Sequence, residues 1–259
     1  MSEGSWIELA LRRDRLLVVL GLVAVIIAAW AYLLAGAGMS MHEMNGMLMP
    51  MRSEPWTIGY AVLVLAMWAV MMAAMMLPSA APMILFYGTV ARARRARGEL
   101  AVGSGVFAGG YLVVWAAFSL AAVGLQFGAE QTALLSPMME MTSIGLSGAL
   151  LITAGLYQWT PLKQACLRRC RSPLEFVMTQ WREGMRGAFT MGLKHGAYCL
   201  GCCWLLMLLL FVGGVMNFGW IAGLALFVLV EKLAPAGHWI GRAAGAGLIV
   251  WGGATLATL

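Results

Sequence analysis

The sequence has few charged residues and little polar sequence of any length. Only 11% of its 259 residues are Asp, Glu, Lys or Arg, against about 25% in a typical soluble domain. Hydrophobic residues make up 62% of the chain, so no soluble domain of useful size fits beside them. The composition predicts an integral membrane protein with a single transmembrane domain over residues 1–259.

Several catalytic and cofactor patterns are missing as well. The chain has no nucleotide-binding motif, no Ser/His/Asp arrangement, no Cys-x-x-Cys-His haem site and no histidine-rich iron site. Nothing in it marks an acid/base enzyme. Its excess of basic residues is better explained by membrane topology than by a nucleic-acid partner, because cytoplasmic loops of membrane proteins collect Lys and Arg.

Long apolar runs dominate what remains. A membrane-spanning helix needs roughly 20 apolar residues, and seven runs approach that length. They cover residues 16–35, 58–87, 105–127, 142–159, 195–215, 218–234 and 239–259. The sequence therefore predicts an all-α fold, a polytopic membrane helix bundle of about seven transmembrane helices.

The basic residues predict the orientation of this bundle. With seven spans, all of the 17 Lys and Arg residues except Arg52 fall on one side of the membrane. Because that side is normally the cytoplasm, the amino terminus is expected to be cytoplasmic and the carboxyl terminus periplasmic. The expected location is the inner membrane of a bacterium, with the lipid bilayer as a partner.

Three of the five cysteines lie close together in the fifth apolar run. In a helix, Cys199, Cys202, Cys203 and His195 fall within an arc of roughly 100°, and Met207 lies one turn beyond Cys203. Thiolates and thioethers are soft ligands that favour copper(I), with zinc as the alternative ion. This face is the candidate metal site. The alternative is that the cysteines are simply small apolar side chains.

A second group of soft donors lies within the second apolar run. Met71 and Met75 belong to a methionine face of that helix and are the best candidates to complete the site. Pro78 and Pro82 each remove a backbone donor and are expected to kink or unwind the helix. The alternative for the methionines is ordinary core packing.

Two segments between the runs carry further soft donors. Residues 160–194 form a predicted cytoplasmic loop in which Cys166 and Cys170 share one helix face, with an amphipathic surface helix over 174–190. Residues 36–57 form a predicted periplasmic loop that is rich in methionine and contains His42. Thioethers survive an oxidising compartment better than thiols. This explains why the predicted periplasmic loop carries methionine and the predicted cytoplasmic segments carry cysteine.

Other patterns concern helix ends and helix packing. Glu231 and Lys232 end the sixth apolar run and are expected at the membrane interface as a topological anchor. Glycines recur every fourth residue from 237 to 245, which predicts close packing between the sixth and seventh helices. Gly105 and Gly109 predict a similar contact for the third helix.

Three motifs resemble a known family. They are Met71-Met-Ala-Ala-Met-Met-Leu-Pro-Ser-Ala-Ala-Pro-Met83, Tyr157-Gln-Trp-Thr-Pro-Leu-Lys163 followed by Cys166-x-x-x-Cys170, and His195-Gly-x-x-Cys199-x-Gly-Cys202-Cys203. Together they are similar to the bacterial predicted metal-binding integral membrane proteins, a domain of unknown function. The resemblance covers most of the chain and implies a multi-span inner-membrane protein with a metal site.

Three functions remain open at this point. The first is copper(I) handling by transport, by delivery to or from a partner protein, or by sensing. The second is a membrane thiol oxidoreductase with Cys199/Cys202 and Cys166/Cys170 as dithiol pairs, although no cysteine lies on the predicted periplasmic side to receive electrons. The third is a structural or assembly subunit with inert thiols.

Overall fold

Helices form almost the whole of the computed structural model, which describes the backbone of residues 3–38, 41–44, 47–50, 55–136 and 139–259. Side chains are described from residue 16 onward, except within 39–54 and 137–138. In chain order the elements are α1 Glu3–Leu34, β1 Met41–Met44, β2 Met47–Pro50, α2 Ile58–Arg95, α3 Ser104–Gln131, α4 Ile144–Tyr157, α5 Pro161–Arg171, α6 Pro173–Gln180, α7 Gly184–Leu208, α8 Leu210–Gly213, α9 Phe218–Leu233 and α10 Gly237–Leu256. The predicted helical class is confirmed, and the short antiparallel pair of β1 and β2 is an addition to it.

Local sequence explains where several helices begin. Thr57, Ser143 and Asn217 precede α2, α4 and α9, and each accepts a hydrogen bond from the backbone N–H three residues further on. Thr160 caps α5 in the same way. Pro161 then opens the helix, where its missing N–H costs nothing because the first turn has no acceptor for it.

Four described stretches of helix are long and apolar enough to cross a membrane: Leu16–Leu34, Ile58–Arg95, Ser104–Gln131 and Gly184–Gly213. The other three predicted segments are also helical, as α4, α9 and α10. However, α4 has 14 residues and α9 has 16. They are therefore roughly 21 and 24 Å long, less than the ~30 Å of hydrocarbon in a bilayer. The seven-span topology stays a prediction.

The long helix α2 runs unbroken through both of its prolines. The prolines were predicted to kink or unwind the helix, and of these the unwinding is wrong, because Ile58–Arg95 is helical throughout. Ser79, between the prolines, donates a hydrogen bond to the Met76 carbonyl at 2.9 Å, and Tyr111 of α3 donates to the same carbonyl at 3.2 Å. Side chains thus supplement the backbone hydrogen bonds in the stretch where the prolines have removed donors.

The predicted surface helix over 174–190 is two separate pieces in the structure. Helix α6 ends at Gln180, and residues 181–183 are not helical. Helix α7 then begins at Gly184, whose φ of +72° is one that glycine adopts without strain. The fifth apolar run is therefore the continuation of a helix that starts roughly three turns before the expected position 195.

Helices α3 and α7 approach each other closely through glycine. A Cβ atom added to Gly110 would collide with the backbone oxygen of Phe189, and one added to Gly192 would collide with that of Phe107. By contrast, Gly105 and Gly109, which the sequence singled out, face open space. Glycine does mediate a close contact of α3, as predicted, but the glycine is Gly110 and not Gly105 or Gly109.

Helix α10 packs mainly along α4, whereas the sequence predicted α9 as its partner. A Cβ at Gly155 would lie 2.6 Å from the Gly245 oxygen, and one at Gly252 would lie 2.7 Å from the Gly148 oxygen. Helix α9 meets α10 near one end, where Gly241 lies against the Glu231 carboxylate. The glycines of α10 do mediate close packing, and two glycines of α4 decide which helix is the main partner.

Alanine at two neighbouring positions of α3 should have opposite effects on stability. Gly110→Ala puts a methyl group onto the Phe189 carbonyl and should lower the free energy of unfolding by about 1–3 kcal/mol, the usual cost of overpacking. Gly109→Ala has open space and should be neutral or stabilising by up to ~1 kcal/mol, because alanine restricts the unfolded chain. Thermal melts of both variants in one detergent measure the difference. Equal melting temperatures would contradict the close α3–α7 contact.

Candidate metal centre

The inward face of α7 brings three cysteines together. Cys199, Cys202 and Cys203 are all buried, as is His195 one turn earlier. The Cys202 and Cys203 thiols donate to the Cys199 carbonyl at 3.0 and 2.9 Å, as side chains three and four residues along a helix can do. All five cysteines of the chain are free thiols.

A thioether of α2 faces these thiols. The Cys203 sulfur lies 3.9 Å from the sulfur of Met76. Met71 and Met75, which the sequence favoured, are buried on the same helix, but the α2 sulfur within hydrogen-bonding range of a thiol is that of Met76. Met207 is buried one turn beyond Cys203 on α7.

A lysine from α9 reaches into the same group. The Lys232 Nζ atom is 2.9 Å from the Cys199 sulfur and 3.2 Å from the Ser79 hydroxyl. The Tyr111 hydroxyl lies 3.1 Å from the same sulfur. The sequence predicted Lys232 as an anchor at the membrane interface, and that prediction is wrong, because the side chain turns inward and is only 7% exposed.

Glu231, the second predicted anchor, is fully buried beside the thiols. Its carboxylate forms an ion pair with Lys163 of α5 at 2.6 Å, and both side chains are almost completely buried. Lys163 also donates to the amide oxygen of Gln158. Buried charges persist in proteins when they are paired, so this ion pair holds α5 and α9 together next to the cysteines.

The two cysteines of α5 occupy different places. Cys170 lies near enough to Cys199 and Cys202 to interact with their thiols, so it adjoins the thiol group. Cys166 lies against α7 at Gly201, where a Cβ atom would be 2.8 Å from its sulfur. Burial raises the pKa of the Cys166 thiol, which makes it a weaker ligand at neutral pH.

His195 lies in an aromatic pocket beside the thiols. Its ring stacks on Phe107 and Tyr111 with centroid distances of 5.9 and 5.6 Å, and it meets the edge of Phe176 at 5.6 Å. Its Nδ1 atom is buried and has no hydrogen-bond partner among the described residues. A neutral imidazole with such a nitrogen is a potential soft-metal ligand.

The thiol group lies closer to one end of the bundle than to the other. Tyr111, which contacts Cys199, belongs to a helix that runs from Ser104 to Gln131. Its contact is therefore roughly 10 Å from the start of α3 and 30 Å from its end. The nearer end follows the basic stretch 92–97, which the sequence predicts to be cytoplasmic.

Within the described part of the chain, no group of three or more His, Cys, Asp or Glu side chains is already arranged to hold a metal ion. The thiols of Cys202 and Cys203 instead donate to the Cys199 carbonyl.

Residues 65–255, well over half of the chain, match the model of a family described as a copper chaperone, PpoB2. The chain belongs to this copper chaperone family. The matched range contains Met76, the cysteines of α5 and α7, and Lys232, and it excludes the hairpin of β1 and β2. Comparison with curated proteins and with solved structures gives no match. The match supports a copper-related family, in line with the metal site that the resemblance implied.

Three neighbours of the thiols were not predicted as site residues: Met76, Tyr111 and Lys232. Met76 is part of the quoted α2 motif, but helical periodicity placed it on an adjacent stripe. Lys232 ends an apolar run, where a lysine commonly extends its ammonium group to the membrane surface. The available signal was the charged pair itself, since ionisable residues in apolar helices are often functional.

The structure describes the methionine-rich predicted periplasmic loop, residues 36–57, only in part. The backbones of Met41–Met44 and Met47–Pro50 pair as antiparallel strands, but their side chains, including His42, lie outside the described residues. In the loop between α3 and α4, the Met139 carbonyl accepts a hydrogen bond from the Val215 N–H at 3.2 Å, and the Met141 N–H donates to the Phe211 carbonyl at 2.7 Å. This loop is therefore tied to α8 and the turn that follows it.

Proposed function

We propose that this protein binds copper(I) inside a membrane bundle through Cys199, Cys202 and Cys203 of α7 with Met76 of α2, and delivers it to a partner protein. The observation that carries the proposal is a buried thiol group facing a buried thioether, with the Cys203 and Met76 sulfurs 3.9 Å apart. Thiolate and thioether ligands together favour copper(I) over harder ions. Cys170 and His195 are the additional candidate ligands.

Lys232 supports this proposal through its charge. Three thiolates and one copper(I) ion carry two net negative charges, which are costly to bury without a partner. The Lys232 ammonium, 2.9 Å from the Cys199 sulfur, compensates one of them. The site can therefore hold copper(I) in an apolar interior with only one net negative charge.

A column of methionines in α2 supports a route for the ion. Met67, Met71, Met75 and Met76 are all buried, and they cover roughly 13 Å along the helix axis. A thioether is neutral and needs no deprotonation before it binds metal, so copper(I) can pass along such a column without proton exchange. We propose that the column connects the thiols with the periplasmic side.

We further propose that the helices form a seven-span bundle in the bacterial inner membrane, with a cytoplasmic amino terminus and a periplasmic carboxyl terminus. The four long apolar helical stretches and the one-sided distribution of Lys and Arg support this. Large apolar side chains are exposed on the outside of the bundle, among them Leu120, Val250 and Trp251. Such a surface is unfavourable in water and favourable in lipid.

Copper loading combined with alkylation of the thiols tests the site. Protein purified in mild detergent and loaded under reducing conditions should hold one copper ion per chain. The bound ion should protect Cys199, Cys202 and Cys203 from alkylation, as read by mass spectrometry of the peptides. A thiol oxidoreductase would instead bind no stoichiometric metal and form a reversible Cys199–Cys202 disulfide. Thiols that are alkylated in every condition would support the structural role.

Reporter fusions test the topology. A reporter that works only in the periplasm should be active after Leu259 and inactive at Gly98, which lies in the exposed turn after α2. A reporter that works only in the cytoplasm should show the reverse pattern at the same two positions. A cytoplasmic carboxyl terminus would contradict seven spans and remove one crossing.

A further inference from the structure

A basic cavity lies where α5 meets the turn between α9 and α10, apart from the thiols. Its volume is about 620 Å³. Its polar lining consists of Gln164, Arg168, Arg171, Ser172, His238 and Arg242. No aspartate or glutamate of the described chain lines it. The cavity is therefore a concave surface with three positive charges and no negative charge of its own.

Two of the three arginines are held in place by the protein. Arg171 donates to the backbone carbonyls of Ala234 and Pro235. The Arg242 guanidinium lies over the Trp239 ring, 5.3 Å from its centroid. Arg168 makes no hydrogen bond or ion pair with any described residue. All three guanidinium groups therefore lack a carboxylate partner within the described chain.

We propose that this cavity binds a phosphate group, either the headgroup of an acidic phospholipid or free inorganic phosphate. Guanidinium groups offer paired N–H donors whose spacing matches that of phosphate oxygens. The hydroxyl of Ser172 and the amide of Gln164 add uncharged donors to the same lining. Basic pockets at the cytoplasmic ends of membrane helices are typical binding sites for lipid headgroups.

The rim of the cavity favours the lipid as the source of the phosphate. Leu162 and Trp239 are sequence neighbours of lining residues and are 61% and 62% exposed, and Leu233, two positions before the lining residue Pro235, is 52% exposed. A basic pocket with an apolar rim matches a molecule that joins an anionic headgroup to acyl chains. Tryptophan is also the residue that membrane proteins enrich at the level of the headgroups.

Binding at this cavity would act on the helix that carries part of the metal centre. Arg168 and Arg171 belong to α5, as do Cys170 and the ion-paired Lys163. A phosphate that bridges α5 and α10 would fix α5 against the start of α10. The proposal concerns an anion site and does not depend on copper binding.

Lipid retention measured by native mass spectrometry tests the proposal. The wild-type protein in uncharged detergent should retain phosphatidylglycerol more strongly than zwitterionic phosphatidylcholine. Arg168→Gln with Arg242→Gln should weaken the retention of phosphatidylglycerol on the order of tenfold, because each basic residue near a lipid headgroup contributes severalfold. A matched control, Arg97→Gln with Arg186→Gln, removes the same charge from exposed positions outside the cavity and should leave retention unchanged.

Inorganic phosphate distinguishes the two sources. Phosphate that competes with bound phosphatidylglycerol indicates a headgroup site. Phosphate that raises the melting temperature of the wild type and the control, with no dependence of lipid retention on the cavity arginines, indicates a site for the free ion. Equal lipid retention in both double variants, together with no effect of phosphate, would overturn the proposal.

A charge-preserving variant guards against a loss of folding. Arg168→Lys with Arg242→Lys keeps both positive charges but loses the paired donors of guanidinium. It should recover part of the retention that the glutamine variant loses. Melting curves of all three double variants show whether the bundle is intact, and no recovery by lysine in an intact protein would show that the paired guanidinium donors, and not charge alone, bind the phosphate.

Discussion

Cys202→Ser should lower the affinity for copper(I) on the order of a hundredfold or more. Serine keeps the size of the side chain but replaces a soft thiolate with a hard, protonated hydroxyl. Cys202 is fully buried, so no water can take the place of the lost ligand. Competition with a copper(I) chelator of known affinity, in detergent and under reducing conditions, measures the effect.

Two matched variants show whether the loss is specific. Met76→Leu should weaken binding less, because a thioether is neutral and contributes less to holding a cation in an apolar site. Cys166→Ser should leave the affinity unchanged, since Cys166 lies against Gly201 and outside the thiol group. If both variants had the same melting temperature and Cys166→Ser lost as much copper(I) affinity as Cys202→Ser, the site would have to include the Cys166 thiol.

Glu231→Gln should lower the free energy of unfolding by about 3–5 kcal/mol, the usual cost of breaking a buried ion pair. Glutamine keeps the shape of the side chain but leaves the Lys163 ammonium buried without a counter-charge. Lys163→Met should have a similar cost, because it leaves the Glu231 carboxylate buried without a counter-charge. Thermal and denaturant unfolding in one detergent would report both effects.

The double variant Lys163→Met with Glu231→Gln is the decisive comparison. Removing both charges leaves neither one uncompensated, so it should recover most of the stability that either single change loses. The coupling energy from this double-mutant cycle isolates the pair from general packing effects. Strictly additive losses, or a Glu231→Gln protein as stable as the wild type, would contradict a buried ion pair between α5 and α9.

The position of Glu231 and Lys232 shows the limit of reading a helix end from its sequence. Both residues end an apolar run, which matches a lysine at a membrane interface and equally matches an ionic cluster between helices. Tertiary packing decides between them, because Lys163 of α5 and the Cys199 thiol of α7 lie where the two side chains point. Neither neighbour is near them in sequence.

The methionine ligand shows a similar limit. Helical periodicity puts Met71 and Met75 on one face of α2, and the choice between that face and the stripe with Met76 depends on how α2 is rotated against α7. That rotation follows from contacts elsewhere in the bundle, such as the close approach of α3 and α7 at Gly110 and Gly192. The sequence alone offered no measure of it.

The sequence by itself determined the features that depend on neighbours within a few residues. Composition and apolar runs predicted a helical bundle with long apolar helices, capping residues such as Thr160 with Pro161 explain where helices begin, and a helical period put Cys199, Cys202 and Cys203 on one face. The tertiary structure alone decided which helices meet and which side chains enter the thiol group. The physical reason is that helix pairing depends on close contacts between residues far apart in the chain, which local periodicity does not encode.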